Sequence, residues 1–395
     1  MPSTNKRLRI CIAVSKDEAR LGPSESFLRA HINRIPGERF PLIGIPGARR
    51  QGVDNGPFLL SQSLGARAFR RGLREAFGVT IAGQDTHSVV RFLRRQHIDV
   101  VLAEYGPTGL GIQRACAEAN VPLVTHFHGW DAYVLATDPA QAAHYRALFS
   151  QSQAIIAVSR HMGEHVKSLG APPERVIWNP CGADPEKAVP ASPADAPPTF
   201  ITIGRAAPKK ATIVTLLAFA QVHRNLPDAR LEIVGAQLDA PTYQTLRALK
   251  IENHVAFLGA MSHEEVLERL SRARCYVHPS VTAPDGDMEG TPVSVLEAMA
   301  AGLPVVSTRH GGILDVLDGK GGGILVDEYD VTGTSDAMLM YGRQADRAAA
   351  AGLAGRGEVQ RRWSIDRSIS RLAQVVSAAA MRDHSTLLRL AGDSY

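Results

Sequence analysis

Met288-Glu289-Gly290-Thr291-Pro292-Val293-Ser294-Val295-Leu296-Glu297-Ala298-Met299-Ala300-Ala301-Gly302-Leu303-Pro304-Val305-Val306-Ser307-Thr308 reads as loop, helix, tight stop and buried strand. Thr291 suits the N-cap and Pro292 the first helical position, where a missing N–H costs nothing. Val295, Leu296 and Met299 recur at spacings of three and four, which gives the helix one apolar face. Gly302 suits the left-handed residue that closes a helix, and Pro304 stops it from continuing. Pro304 to Ser307 then predicts a short buried strand. Such a helix aims the partial positive charge of its first turn, around Gly290, Thr291, Pro292 and Val293, at the loop mouth. Phosphate is the usual guest there.

Glu289 and Glu297 bracket the helix start, eight positions apart. An isolated pair of this kind is more often a solvated surface Glu and an ordinary helix former. Here the preceding loop, Pro284-Asp285-Gly286-Asp287-Met288-Glu289-Gly290, is acidic and glycine-bearing, and it adjoins an anion-attracting helix end. Carboxylates repel phosphate but accept hydrogen bonds from sugar and ribose hydroxyls. A phosphate seat with carboxylates beside it suggests a sugar nucleotide.

The run from Glu289 through Glu297 to Thr308, with Gly311-Gly312 after it, resembles the E-x7-E signature of retaining glycosyltransferases of family 4. Asp287-Met288-Glu289-Gly290-Thr291-Pro292 is similar to the branch that builds bacterial exopolysaccharides of the colanic-acid type. The resemblance implies an α/β chain of the GT-B class: two Rossmann-like domains with parallel sheets facing across a cleft. It also implies that Glu289 contacts the donor sugar and Glu297 the ribose.

Composition agrees with a soluble globular chain of two domains: 395 residues, 45% hydrophobic and 21% charged. The apolar run Ile10 to Val14 is too short for a signal peptide, and no stretch reaches bilayer-spanning length. Cys11, Cys116, Cys181 and Cys275 are far apart, without metal-type spacing, as expected of reduced thiols in the cytoplasm. Residues 1–190 carry 23 Lys+Arg against 16 Asp+Glu, and the rest carry 21 against 23, so the basic excess lies in the first half. An anionic partner for that half follows.

Within the first half, Arg67, Arg70, Arg71 and Arg74 share one helical face, and Arg91, Arg94 and Arg95 repeat the pattern. Solvated faces are one account. The other is a patch for anionic lipid headgroups or a lipid-diphosphate acceptor. No recognised nucleic-acid motif accompanies the charge. Ile98 to Ala103 predicts a strand with Glu104 in the loop at its carboxyl end, where open α/β sheets bind ligands. Glu104 is thus a candidate acceptor contact. Val121 to Thr125 predicts the next strand, followed by His126-Phe127-His128-Gly129-Trp130-Asp131. His128, Gly129 and Asp131 match the family's His-Gly-x-Asp pattern, which implies that His128 approaches the donor sugar. Ser24 and Glu25 stand in a Ser-Glu-Ser-Phe stretch similar to one in the polysaccharide branch, where the loop meets the acceptor.

The segment 188–198, rich in Pro and Ala, predicts a linker between domains at 1–188 and 199–369. The resemblance implies that a terminal helix, about 370–395, packs back on the first domain. After strand Thr199 to Ile203, Gly204-Arg205 and Lys210 match the family's Gly-Arg…Lys-Gly signature, with Ala211 in place of the usual Gly. Arg205 would grip the donor diphosphate in a bidentate way, and Lys210 would add a point charge. The strand His254 to Gly259 is expected to lead to the base-binding wall.

The expectation is therefore a metal-independent retaining transferase that uses a nucleotide sugar, UDP- or GDP-linked, and no further cofactor. Its acceptor would be a glycan or lipid-linked glycan, its place the cytoplasm or the inner face of the plasma membrane, with no nucleic-acid partner. A soluble transferase for small molecules and a sugar-nucleotide-binding protein without turnover are the alternatives. A glycosidase acid/base pair is disfavoured, because the basic residues fit a leaving phosphate better.

Overall fold

The computed structural model describes residues 7–14, 26–43, 58–59, 83–317, 321–393 and 395. Ser24, Glu25, Arg67, Arg70, Arg71 and Arg74 lie outside the described residues. The chain forms two compact units, one of Met1–Val158, Gly163–Asn179 and Ile369–Tyr395, the other of Ser159–Met162 and Pro180–Ser368.

The described strands of unit 1 are β1 (Arg9–Val14), β2 (Glu38–Ile43), β3 (Phe58–Leu59), β4 (Val100–Glu104), β5 (Leu123–Phe127), β6 (Ala154–Ala157) and β7 (Val176–Trp178). They pair in parallel in the order β3-β2-β1-β4-β5-β6-β7. β4, β5 and β6 are buried at every position, which explains their near-continuous apolar runs. Unit 2 holds β8 (Thr199–Ile203), β9 (Arg230–Val234), β10 (Val255–Gly259), β11 (Cys275–His278), β12 (Val305–Thr308) and β13 (Gly323–Val326). Their order is β10-β9-β8-β11-β12-β13, again parallel.

In each sheet the strand order reverses between two central neighbours, β1 and β4 in one, β8 and β11 in the other. Chains leaving the carboxyl ends of such neighbours part in opposite directions and open a crevice. Glu104 ends β4, and His278 ends β11. The element edges differ from expectation because pairing sets them. β4 runs to Glu104, whose partner in the ladder is His126, so both residues are strand residues rather than loop residues.

The proline-rich stretch expected as a linker is fixed chain within unit 2. Ala191 N–H donates to Ala301 O at 2.8 Å, and the Arg274 Nε donates to Ala196 O at 3.1 Å. The helices Ile365–Met381 and His384–Gly392 end the chain. In unit 1, Arg371 ties their region down by donating to Trp178 O at 3.1 Å and Leu390 O at 2.9 Å. Among the described residues, no helix is long and apolar enough to cross a membrane.

Candidate functional site

In unit 2 the helix Val293–Ala301 begins one residue later than expected, with Pro292 at its N-cap and no side-chain cap. Thr291 does not cap it. Its Oγ1 accepts instead from Cys181 N–H at 3.1 Å, which pins the loop to the chain entering the unit. The helix stops as anticipated, at Gly302 with φ 89°. The approach of the helix Ala345–Arg362 also requires glycine: a Cβ on Gly352 would stand 1.8 Å from Gly302 O.

Glu289 is buried and held from all sides. Its Oε1 lies 2.8 Å from Lys210 Nζ and accepts from Ser280 Oγ at 3.1 Å, with His278 Nε2 at 3.5 Å. Burial alone would raise this carboxyl, but Lys210 and the bond with His278 outweigh it and hold the group well below the usual carboxylate range. His278 is pushed down to about 4 by burial and by the Lys210 charge, so it is neutral.

The backbone at Glu289 is fixed as firmly as the side chain. Its N–H donates to His310 Nε2 at 3.1 Å, and His310 Nδ1 lies 2.6 Å from Glu328 Oε1. Nδ1 must therefore carry the imidazole proton and Nε2 the lone pair. Gly311 and Gly312 lie directly against this loop. A Cβ on Gly311, whose φ is 43°, would meet Glu289 O at 2.6 Å, and one on Gly312 would meet Gly290 O at 1.8 Å. Lys209, which drew no attention in the sequence beside Lys210, clips the acidic loop by donating to Asp287 Oδ1 and Met288 O, both at 2.9 Å. Glu297 lies 3.0 Å from His263 Nε2, and that bond raises the imidazole above its ordinary value.

Arg205 is exposed on the loop after β8. Lys210 closes a short turn, and Ala211 follows at φ 45°. That conformation suits the Gly that the resemblance leads one to expect there; Ala adopts it at a cost of about 1 kcal/mol. Gly235, at φ 90°, backs the same loop, since a Cβ on it would stand 2.9 Å from Gly204 O. Its N–H donates to Gly259 O at 2.7 Å. From Gly259 a cavity of about 370 Å³ extends past Phe257, Gln237, Leu238 and Tyr243.

Unit 1 assembles a second cluster at the carboxyl ends of β4 and β5. Asp131 accounts for the His-Gly-x-Asp pattern physically. Its Oδ1 accepts the N–H groups of His128 and Gly129, each at 3.0 Å, and its Oδ2 accepts that of Gly106 at 2.9 Å. Gly129 turns at φ 156°. Gly106 has no room for a side chain: a Cβ would lie 2.5 Å from the Phe127 ring. These contacts set His128 in place from behind.

Glu104 is fully buried, so it is not the surface acceptor contact that its expected loop position suggested. Its Oε1 lies 2.7 Å from His31 Nδ1 and its Oε2 2.7 Å from His128 Nε2. His126 Nδ1 is 3.3 Å from Oε2, outside hydrogen-bond geometry. Burial would raise Glu104, yet His31 and His126 outweigh it and hold the carboxyl well below its usual range. His128 is pushed down to about 3, chiefly by burial and then by His126. Ligand atoms of His31, Glu104 and His126 lie within 4.8 Å of one another, the composition of a metal-binding set. Glu104 itself makes direct 2.7 Å bonds to His31 and His128, while both ring nitrogens of His126 and Nδ1 of His128 are without a hydrogen-bond partner among the described residues. His31 and His126 carried no motif in the sequence; only the register Glu104↔His126 brings His126 to the carboxylate.

Residues 185–352 match the family model described as Glycosyl transferases group 1, and residues 64–187 match that described as Glycosyltransferase Family 4. WcaL of Salmonella typhimurium, whose name assigns it to colanic acid biosynthesis, is 30% identical over 62% of this chain and 62% of its own length. The match thus spans less than two thirds of that relative. A GDP-mannose-dependent phosphatidylinositol monomannoside mannosyltransferase of Mycobacterium tuberculosis is 26% identical over 92% of this chain and 97% of its own. Among solved structures, Anabaena HepE in complex with UDP superposes with a TM-score of 0.72 at 18% identity, covering 94% of this chain and 100% of that one.

Proposed function

We propose, from the premise that this chain belongs to glycosyltransferase family 4 and has the GT-B fold, that it moves a sugar from a nucleotide-sugar donor to an acceptor hydroxyl. The transfer proceeds with retention at the anomeric carbon, in building a bacterial exopolysaccharide or other cell-surface glycan on a lipid-linked acceptor. The observation that carries the reading is the Lys210–Glu289 pair beside the N-terminus of the helix Val293–Ala301. It sets a cation and uncapped amides beside a carboxylate kept ionised.

The difficult event is departure of the nucleoside diphosphate, whose charge grows as the glycosidic bond breaks. Lys210, Arg205 and the helix amides stabilise that charge without calling on a metal ion. Glu289 accepts from the donor sugar's hydroxyls and Glu297 from the ribose. The cavity past Gly259 receives the base. Relatives with GDP-mannose in their names and a neighbour bound to UDP support a GDP- or UDP-linked donor.

The test is the melting temperature with UDP, GDP and ADP in turn, on the intact protein and on Glu297→Ala. A nucleotide at about 100 times its dissociation constant adds roughly 2.7 kcal/mol of stability. The expected result is a rise with one nucleotide that shrinks in the variant, followed by transfer of the matching sugar with its anomeric configuration kept. No rise with any of the three would end the donor reading; a rise without transfer to any acceptor would leave a binding protein.

A further inference from the structure

We propose that Glu104 is a positioning residue that fixes the tautomer of His128, so that His128 offers the lone pair of Nδ1, not an N–H, to a substrate hydroxyl. The inference rests on the transferase reading above and extends it to residues that touch no substrate.

Four observations carry it. Glu104 Oε2 sits 2.7 Å from His128 Nε2, and an ionised carboxylate can only accept, so the proton must be on Nε2. The other ring nitrogen, Nδ1, is buried and without a partner among the described residues. A buried acceptor left unpaired is costly and marks a place where a donor belongs. The ring cannot turn to satisfy itself, because Phe27, Tyr105 and His126 flank it at centroid distances of 4.5, 4.7 and 4.2 Å, while Asp131 holds its backbone. Finally, both Glu104 oxygens are engaged by imidazoles, Oε2 by His128 and Oε1 by His31 at 2.7 Å each, so Glu104 acts through the ring and not on the substrate.

The arrangement has a chemical consequence. As a sugar acquires positive charge, or as an acceptor hydroxyl attacks, the hydroxyls involved become stronger donors. An imidazole lone pair therefore binds more strongly in the transition state than in the ground state, which is the condition for raising kcat. An N–H in its place would do the reverse. His128 stays neutral for this task because burial and the adjoining His126 oppose its protonation.

The experiment uses the full chain labelled with 15N-histidine, with His128 assigned by its loss in His128→Gln. At neutral pH the intact protein is expected to show His128 protonated on Nε2 alone. In Glu104→Gln the carboxamide keeps one oxygen, so its NH2 faces either His31 or His128; where it faces His128 it donates to Nε2 and the proton moves to Nδ1. Transfer should then fall in kcat on the order of 10², with KM for the donor changed by less than about twofold. The nucleotide-induced rise in melting temperature should be unchanged. A Nδ1–H or doubly protonated His128 in the intact protein overturns the proposal, and that result does not depend on the variant folding. Glu104→Gln with the tautomer moved and kcat intact overturns it equally. An intact protein that transfers no sugar would sink the transferase reading instead, and the tautomer measurement separates the two failures.

Discussion

The Lys210 ammonium lies 2.8 Å from Glu289 Oε1, and both side chains are largely shielded from water. Two residues that are 79 positions apart in sequence, each matched to a different family motif, thus neutralise one another. Removing one partner leaves the other charge buried. Lys210→Met is expected to cost about 3–5 kcal/mol of stability, read by urea unfolding. The double variant Lys210→Met/Glu289→Gln should recover much of that loss while transferring no sugar. Equal stability of the single variant and the intact protein would show that the pair is not held in solution.

Gly312→Ala and Gly302→Ala separate close approach from backbone conformation. A Cβ on Gly312 would stand 1.8 Å from Gly290 O, so the loop that carries Glu289 must move. Nucleotide-induced stabilisation should vanish in that variant. A Cβ on Gly302 would meet nothing within 4 Å, and only its φ of 89° resists a side chain. The cost there is about 1 kcal/mol of stability, with nucleotide binding retained. Calorimetry with and without the nucleotide distinguishes the two.

Stability should fall as the pH is lowered from neutrality. Folded His128 and His278 resist protonation until about 3 and about 4, chiefly because they are buried. In the unfolded chain an imidazole takes up its proton near 6.5, roughly. Below that value the unfolded state binds more protons, so each residue removes up to about 1.4 kcal/mol per pH unit. Glu104 and Glu289, held below the usual carboxylate range, add loss in the same direction at lower pH. Urea midpoints at pH 7.5, 6 and 5 that stay level would contradict this.

The sequence offers Arg67, Arg70, Arg71 and Arg74 either as a patch for anionic lipid headgroups or as solvated faces, and vesicle binding separates the two accounts. Each basic residue near an anionic surface contributes about 1 kcal/mol, so replacing all four by Gln should weaken vesicle binding on the order of 10³-fold. Cosedimentation with anionic and neutral vesicles measures it. Unaltered binding in the variant, or none in the intact protein, would leave the arginines as solvated faces.

The helix stop at Gly302, the buried strand after it and the alternation of strands and helices were legible in the sequence, because they follow from local spacing and backbone preference. The placement of Glu289 just before a helix and Glu297 within it was legible for the same reason. What tertiary structure decided are the partners. Thr291 had the right chemistry for an N-cap, yet its hydroxyl meets Cys181 N–H from a distant part of the chain. Glu104 looked like a loop residue open to an acceptor until parallel pairing with β5 extended its strand and buried it. His31, His126, His278 and His310 carry no local signature. Long-range packing alone brings each to a carboxylate or an amide. Sequence determined which elements form and where charge gathers; the sheet order and register determined which charges meet.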